Sequence, residues 1–129
     1  MNDRERDAKI AEGLMGWSRV HVEAEAWADV HNQWHADYCG TLEGTRTVVP
    51  HYSTDPGDSK KLREKLAETW EIWELFRAKD PAPFKEFSFE VSNGKHPDYG
   101  EEKYSADADA EEAAVAACAI KLLDVKEGQ

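Results

Sequence analysis

The feature that most constrains the fold is the dipeptide Asp55-Pro56 together with the apolar residues that follow it. Asp at a helix N-cap accepts a hydrogen bond from a free backbone amide, and Pro fits the first helical position because no amide hydrogen is needed there. The next apolar residues are spaced by four, four, three and three, as on one helical face, and they are Leu62, Leu66, Trp70, Trp73 and Phe76. The sequence therefore predicts a helix from Pro56 to about Lys79, ended by Pro81 and Pro83.

Two further helices are predicted, one near each end of the sequence. In residues 3–16, apolar side chains share one face, Gly16 suits a left-handed helix end, and Trp17 is expected to fold back on that face. The last helix is predicted to start at Asp109, where Glu112 completes an acidic form of the capping box. Its apolar positions at helical spacing are Ala114, Val115, Cys118, Leu122 and Val125.

Period-two alternation predicts the strands. Residues 18–30 alternate, with Val20, Val22, Ala24 and Ala26 as the expected buried face. Residues 31–47 are irregular, with a short strand expected over residues 45–49. Residues 84–91 alternate again, and Asn93-Gly94 predicts a hairpin to a partner strand near residues 101–107. The loop between those two strands holds His96, Pro97 and Gly100.

Together these elements predict an α+β fold in the order α-β-(β)-α-β-β-α. Three helices would pack on a small, mostly antiparallel sheet as an α-β-α sandwich. The 129 residues fit one domain over 1–129.

We expect no secretory leader and no membrane span, because the first residues are charged and no apolar run is long enough. The two cysteines, Cys39 and Cys118, are expected as reduced thiols in a cytoplasm.

The charge of the chain is strongly acidic. Sixteen basic residues stand against 27 acidic ones, which gives a formal net charge of −11. Such a balance argues against direct DNA binding, because that surface needs clustered Lys and Arg. More than half of the excess lies in residues 98–112, which hold seven acids and one lysine. This acidic cluster is either a solvated loop and helix start or a docking surface for a basic protein.

Three stretches of the sequence resemble a known family. Residues 10–17 read IAEGLMGW, residues 50–55 read PHYSTD, and residues 113–122 are rich in alanine and contain Cys118. They are similar to the "IA…MGW" opening, the "P-x-YSTD" segment and the "A…C…L" closing helix of the phage ABA sandwich domain family. The resemblance implies a small α/β sandwich encoded by a phage or prophage, in a family with no settled general activity.

The sequence lacks a recognisable catalytic motif, so we expect no enzyme, no catalytic residue and no cofactor. It has no G-x-S-x-G, no glycine-rich phosphate loop and no H-E-x-x-H. His31, His35 and Cys39 are spaced by four and would share one face of a helix, where they would suit zinc. Gly40 ends that run and no fourth ligand is evident, so we expect polar loop residues and no metal, with the alternative left open. Cys39, near His35, is the better of the two thiols as a nucleophile.

Two groups of residues are candidates for ligand binding. Hydroxyls and free amides at the predicted helix start would hold an anion at Tyr52, Ser53 and Thr54, although a helix cap requires the same residue types. Aromatic residues bordering the irregular segment would line a pocket or a partner surface, or pack on the sheet, and these are Trp27, Trp34 and Tyr38. Arg46 is one of four basic residues considered for an anionic ligand, with Arg19, Lys85 and Lys103.

These observations favour a non-enzymatic phage accessory protein that binds a host component in the host cytoplasm. The component would be a small molecule, including a nucleotide that signals antiviral defence, or a host protein. One alternative is an acidic protein–protein inhibitor that imitates nucleic acid, and another is a virion structural component. We expect no membrane partner, and we expect a homo-oligomer, a dimer or larger, because small sheets have free edges.

Overall fold

The computed structural model describes residues 1–78, 85–92 and 103–127. The helices are α1 (Asp3–Gly13), α2 (Pro56–Ala67) and α3 (Glu111–Glu127). The strands are β1 (Ser18–Ala28), β2 (Trp34–Leu42), β3 (Thr45–Val48), β4 (Glu71–Ala78), β5 (Lys85–Ser92) and β6 (Lys103–Ala108). The expectations for Pro81, Pro83, Asn93-Gly94, His96, Pro97 and Gly100 lie outside the described residues.

The predicted α+β class is confirmed, with three helices and antiparallel strands. The strands form two three-stranded sheets, a first sheet in the order β1-β2-β3 and a second sheet in the order β4-β5-β6. Helix α1 packs against the first sheet and α3 against the second. The two helices also pack against each other, because Gly13 has no side chain at the point where Leu123 of α3 lies against α1. The two halves of the chain therefore share one core.

The start of α2 is confirmed, but its predicted length is wrong. Asp55 is the N-cap, its carboxylate accepts from the backbone N–H of Asp58, and Pro56 opens the helix. The helix ends at Ala67, and residues 71–78 form β4, which pairs with β5 along its whole length. Trp73 and Phe76 therefore lie on a strand. Aromatic residues favour strands, and pairing with β5 outweighs the helical spacing that this segment also has.

Strand β2 is the central strand of the first sheet, whereas the sequence predicts an irregular segment over most of it. Its side chains alternate between polar and apolar, but Gly40 inside the strand weakens this signal. The predicted burial of one face of β1 is wrong: Val22 is 53 % exposed and Ala24 is also exposed. Two register irregularities interrupt β1, after Ser18 and after Glu23, and break the period of two.

The predicted reversal after α1 is confirmed. Gly16 has a φ of +80°, a left-handed conformation that glycine adopts without strain. The backbone N–H of Trp17 donates to the carbonyl of Ala11 at 3.0 Å, and the indole is buried as expected. Helix α3 begins at Glu111, two residues after the predicted start at Asp109. Its apolar face packs on Phe89, Val91 and Ala106 of the second sheet.

A buried ion network around Arg4 joins α1 to the first sheet and to the segment before α2. Its guanidinium donates to Asp7 at 2.8 Å, to Asp37 on β2 at 2.9 Å, and to the carbonyls of Val49 at 2.7 Å and Pro50 at 3.1 Å. Asp7 is fully buried, and its second oxygen accepts from the backbone N–H of Ser53 at 2.8 Å. We call Arg4, Asp7 and Asp37, together with their backbone partners, the Arg4 network. In this network the buried carboxylate of Asp7 is paired with the guanidinium of Arg4.

Replacing Arg4 by Met is expected to lower the free energy of unfolding by about 3 kcal/mol, because Asp7 would remain buried without its cation. Urea unfolding followed by circular dichroism measures the change. Arg6→Met is the matched control, since Arg6 pairs with Asp3 only at 3.7 Å near the surface and should cost less than about 0.5 kcal/mol. Equal losses in the two variants would show that the network does not carry this stability.

Candidate functional site

The two faces of the first sheet differ in chemistry. Directly paired residues in an antiparallel ladder project from the same face, and the register pairs Trp27 with His35 and Ala28 with Trp34. One face, here called the polar face, carries His21, Glu23, Trp27, His35, Asp37, Cys39, Thr41 and Arg46. The opposite face, here called the apolar face, carries Val22, Ala28, Trp34, Ala36, Tyr38, Gly40 and Leu42.

An ordered aromatic group occupies the hairpin end of the polar face. The rings of Trp27 and His35 stack with centroids 4.3 Å apart. The indole N–H of Trp27 donates to Asp37 at 3.2 Å, and His35 Nε2 lies 2.8 Å from Asp29 Oδ2. Trp27 is still 42 % exposed. Its indole is therefore held in one orientation while part of its ring remains open to a ligand.

Asp29 fixes the turn of this hairpin. Its other carboxylate oxygen accepts from the backbone N–H groups of His31 at 2.8 Å and Gln33 at 3.1 Å. The hydrogen bond from His35, followed by that from Gln33, holds the pKa of Asp29 below its ordinary value. This carboxylate therefore keeps its negative charge beside the stacked rings.

Arg46 is engaged within the polar face, near the other end. Its guanidinium contacts Glu23 at 2.5 Å and donates to the carbonyl of Arg19 at 3.2 Å. It also lies within hydrogen-bond distance of Thr41 and of His21. The hydrogen bond from Arg46 is the main cause that lowers the pKa of Glu23. Most N–H donors of the Arg46 guanidinium are therefore already bonded to partners within the sheet.

A groove of about 440 Å³ lies between α1 and the apolar face. Ala8, Val20, Tyr38 and Leu123 line it, and Glu5, Lys9 and Glu12 of α1 stand along it. Tyr38 is therefore in this groove and is not part of the aromatic group around Trp27. Trp34, 59 % exposed, lies on the same face as Tyr38. The three aromatic residues considered together from the sequence are divided between two faces.

The segment 52–54 is held mainly by the fold itself. Tyr52 and Ser53 are buried, while Thr54 is exposed. The Ser53 amide donates to Asp7, and its hydroxyl donates to the carbonyl of Asp3 at 3.3 Å. Burial raises the pKa of Tyr52 to about 12. The geometry brings Ser53 into the Arg4 network, and it does not bring Tyr52, Ser53 or Thr54 to the polar face.

The helical arrangement considered for His31, His35 and Cys39 does not form. His31 is in the turn, whereas His35 and Cys39 lie four residues apart on β2, about 13 Å along an extended strand. Within residues 1–78, 85–92 and 103–127, no group of three or more His, Cys, Asp or Glu side chains is placed to hold a metal ion.

The acidic cluster of residues 98–112 is described only from residue 103 onward. There, Glu111 pairs with Arg63 of α2, and the Ser88 hydroxyl donates to Asp107 of β6. Asp107 and Asp109 are exposed. Part of this cluster therefore has partners within the fold, which links β5 to β6 and α2 to the start of α3.

Sequence reasoning missed Asp29, His35 and Asp37 as a group that orients Trp27. The alternation of polar residues at 35, 37, 39 and 41 was the available signal, because a strand with one polar face reads in this way.

Comparison with protein-family models, with curated proteins and with solved structures gives no match. None of the three helices in the described part of the chain is both long and apolar enough to cross a membrane.

Both thiols are expected to react slowly at neutral pH, because each is buried and has a raised pKa. Burial is the main cause at Cys39, with the charge of Glu23 adding to it, and burial raises the pKa of Cys118 to about 11. The thiolate is the reactive form. We expect Ellman's reagent to label neither thiol promptly in the folded protein and both in urea. Prompt labelling of a single thiol under native conditions would instead indicate an activated cysteine.

The stability of the fold is expected to fall on acidification in part through Asp37. Burial opposes ionisation of this carboxyl, but hydrogen bonds from Arg4 and from the Tyr38 amide outweigh it, so its pKa is lowered. A carboxyl whose pKa is lower in the folded state than in the unfolded state stabilises the folded state at any pH above its unfolded-state pKa of about 3.9. This stabilisation is lost as the pH falls through the folded-state pKa.

We therefore expect Asp37→Asn to be less stable than the parent at pH 7, yet to lose less free energy of unfolding between about pH 5 and about pH 2. Urea titrations across that pH range provide the measurement. Glu25→Gln, at an exposed position of β1, is the matched control. A pH slope in Asp37→Asn as steep as that of the parent would refute a role for this carboxyl.

Proposed function

We propose that this chain is a non-catalytic binding protein that holds a basic segment of a partner protein on the polar face of its first sheet. The resemblance to phage ABA sandwich proteins supports a phage or prophage origin, with a host protein as the partner and its inhibition as the outcome. A basic protein segment is preferred here to a nucleotide, and its site is the polar face, whereas the sequence suggested residues 98–112 as the acidic docking surface.

The observation that carries this proposal is the oriented Trp27 ring, whose N–H is bound by the carboxylate of Asp37 and whose stacking partner His35 is bound by that of Asp29. A Lys or Arg side chain over an indole face gains a cation–π interaction, and the gain grows as water is excluded. His35 and Asp37 fix the orientation of that ring, so little side-chain entropy is lost on binding. Asp29 and Asp37 keep their negative charge close to it.

The wider charge of the first sheet supports a cationic partner. Residues 18–49 contain five carboxylates and two arginines. One of those arginines, Arg46, is already paired with Glu23. A negatively charged surface raises the association rate with a basic partner and repels an acidic one.

A nucleotide is less well supported, because the groups that would hold its phosphate are engaged elsewhere. Arg46 is surrounded by partners of the sheet, and the Ser53 amide donates to Asp7. The N-terminus of α2 is capped by the carboxylate of Asp55, whose charge opposes an anion. Arg4 is also committed to the network with Asp7 and Asp37.

Titration of the protein with a peptide of alternating Arg and Gly tests the proposal. We expect saturable binding by calorimetry that weakens as salt rises from about 0.05 M to about 0.5 M, because screening reduces charge attraction. Trp27→Ser is expected to weaken it about tenfold, the loss of one cation–π contact. A peptide with Glu in place of Arg should not bind.

Trp34→Ser is the matched control, since it removes an exposed indole of the same hairpin from the opposite face. Equal weakening by the two variants would contradict a site on the polar face. A mixture of nucleoside mono-, di- and triphosphates provides the competing arm in a thermal-shift assay. Stabilisation by a nucleotide, with no binding of the Arg peptide, would favour the nucleotide-binding alternative over this proposal.

A further inference from the structure

The ring of His35 covers one face of the Trp27 indole and leaves the other face to a ligand. The two ring centroids are 4.3 Å apart and the ring planes differ by 21°, so the contact is a near-parallel stack. A cation from a partner can therefore reach the indole on the opposite face. Any charge that His35 acquires lies directly behind the surface on which that cation binds.

The contact with Asp29 determines where His35 takes up a proton. Asp29 Oδ2 lies 2.8 Å from Nε2 of the imidazole. The lowered pKa of Asp29 keeps this carboxyl ionised, and an ionised carboxylate can only accept. Nε2 therefore carries a hydrogen in both charge states, and the second proton enters at Nδ1. Protonation turns the hydrogen bond into an ion pair and does not require the ring to move.

The other charged groups around this stack keep their charge when the pH is lowered mildly. Histidine is the side chain that changes charge between about pH 5 and about pH 8. Asp29 and Asp37 stay ionised over that range because the pKa of each is lowered, and so does Glu23, which is paired with Asp37 in the ladder. Arg4, 2.9 Å from Asp37, carries a guanidinium, which stays protonated. Of these five groups, His35 is the one whose charge changes.

A proton on His35 weakens the attraction between Trp27 and a cation in two ways. It cancels the negative charge of Asp29 beside the ring, and it places a positive charge behind the ring. A guanidinium about 4 Å above the open face would lie about 8 Å from the imidazolium, since the stacked rings are 4.3 Å apart. Two like charges at that distance near a protein surface repel strongly enough to weaken binding about tenfold.

We propose that His35 is a positioning residue whose charge controls the affinity of Trp27 for the cation of the partner. Neutral His35 orients the indole and permits binding, and protonated His35 opposes it. This inference rests on the proposed function, because it concerns the same ring, and it adds that a basic partner is held near neutral pH and released on mild acidification. Coupling of this kind is reciprocal, so binding of the partner expels the proton from His35.

Calorimetric titration with the Arg–Gly peptide at about pH 7.5 and about pH 5.5 tests this inference, with the peptide ends blocked so that its own charge is constant. In the parent, the dissociation constant should rise about tenfold on acidification. His35→Gln is neutral at both pH values and should bind with one affinity. His35→Arg keeps a planar cation against the indole and should bind weakly at both. A merely structural role of His35 would not separate these two variants by their pH profiles.

His31→Gln is the matched control. His31 is an exposed histidine in the same turn, and its ring is not the one stacked on Trp27. This variant should retain the pH dependence of the parent. Titrations near about pH 6.5 in buffers of different ionisation enthalpy then count the protons released on binding. The parent and His31→Gln should release protons, and His35→Gln should release none.

The fluorescence of Trp27 reports the state of His35 without any partner. An imidazolium in contact with an indole quenches its emission more strongly than a neutral imidazole does. The part of the emission that Trp27→Phe removes should therefore fall on acidification in the parent and stay constant in His35→Gln. Trp27 is 42 % exposed, so the variant is expected to fold, and an unchanged thermal midpoint confirms it.

The outcomes separate this inference from the proposed function. A peptide affinity that is the same at both pH values in the parent overturns this inference alone. So does a pH dependence that His35→Gln retains or that His31→Gln loses, since another group then carries the charge. Absence of peptide binding by the parent at both pH values overturns the proposed function, and this inference with it, even where the Trp27 emission still follows the charge of His35.

Discussion

The pairing of Arg4 with Asp7 and Asp37 is the interaction on which the rest of the structure depends. Asp7 is fully buried in α1, and a charge there is tolerated only because Arg4 and the Ser53 amide compensate it. The same guanidinium reaches β2 through Asp37 and the end of β3 through the carbonyl of Val49. One side chain thereby fixes a helix, a central strand and the chain before α2 relative to one another.

Fixing α1 in this position determines which parts of the first sheet are covered. The helix covers the near part of the apolar face and leaves the hairpin end open, while the opposite face builds its own polar contacts. Asp37 belongs to both arrangements, because it accepts from Arg4 with one oxygen and from the Trp27 indole with the other. The orientation of the Trp27 ring on the polar face is thus coupled to the buried network.

Much of the fold was predictable because its signals are local. Asp55-Pro56 marks the start of α2, Gly16 marks the reversal after α1, and alternation marks β5. The strands β2 and β4 were not predictable in this way. Residues 70–76 have apolar spacing that suits a helix, and only pairing with β5 makes part of this segment a strand. Strand β2 alternates between polar and apolar residues, but Gly40 inside the strand weakens that signal.

The candidate site was predictable only in part, for a related reason. Exposed aromatic residues at 27 and 34 are visible in the sequence, but the face that each occupies depends on the register of β1 against β2. The irregularity after Glu23 sets three residues of β1 against one of β2. No local sequence rule predicts the position of this irregularity. Asp37 likewise has no sequence signal for its partners, since Arg4 is 33 residues away.

The long sequence separations within the Arg4 network bear on the order in which the chain folds. Arg4 meets Val49 across 45 residues, and Asp7 meets Ser53 across 46. Contacts so distant in sequence form late, because loop closure loses entropy before any contact compensates for it. During synthesis, α1 and the first hairpin emerge before the backbone groups that complete the network. Until the segment before α2 has left the ribosome, Asp7 lacks its Ser53 partner, and the Arg4 network is incomplete.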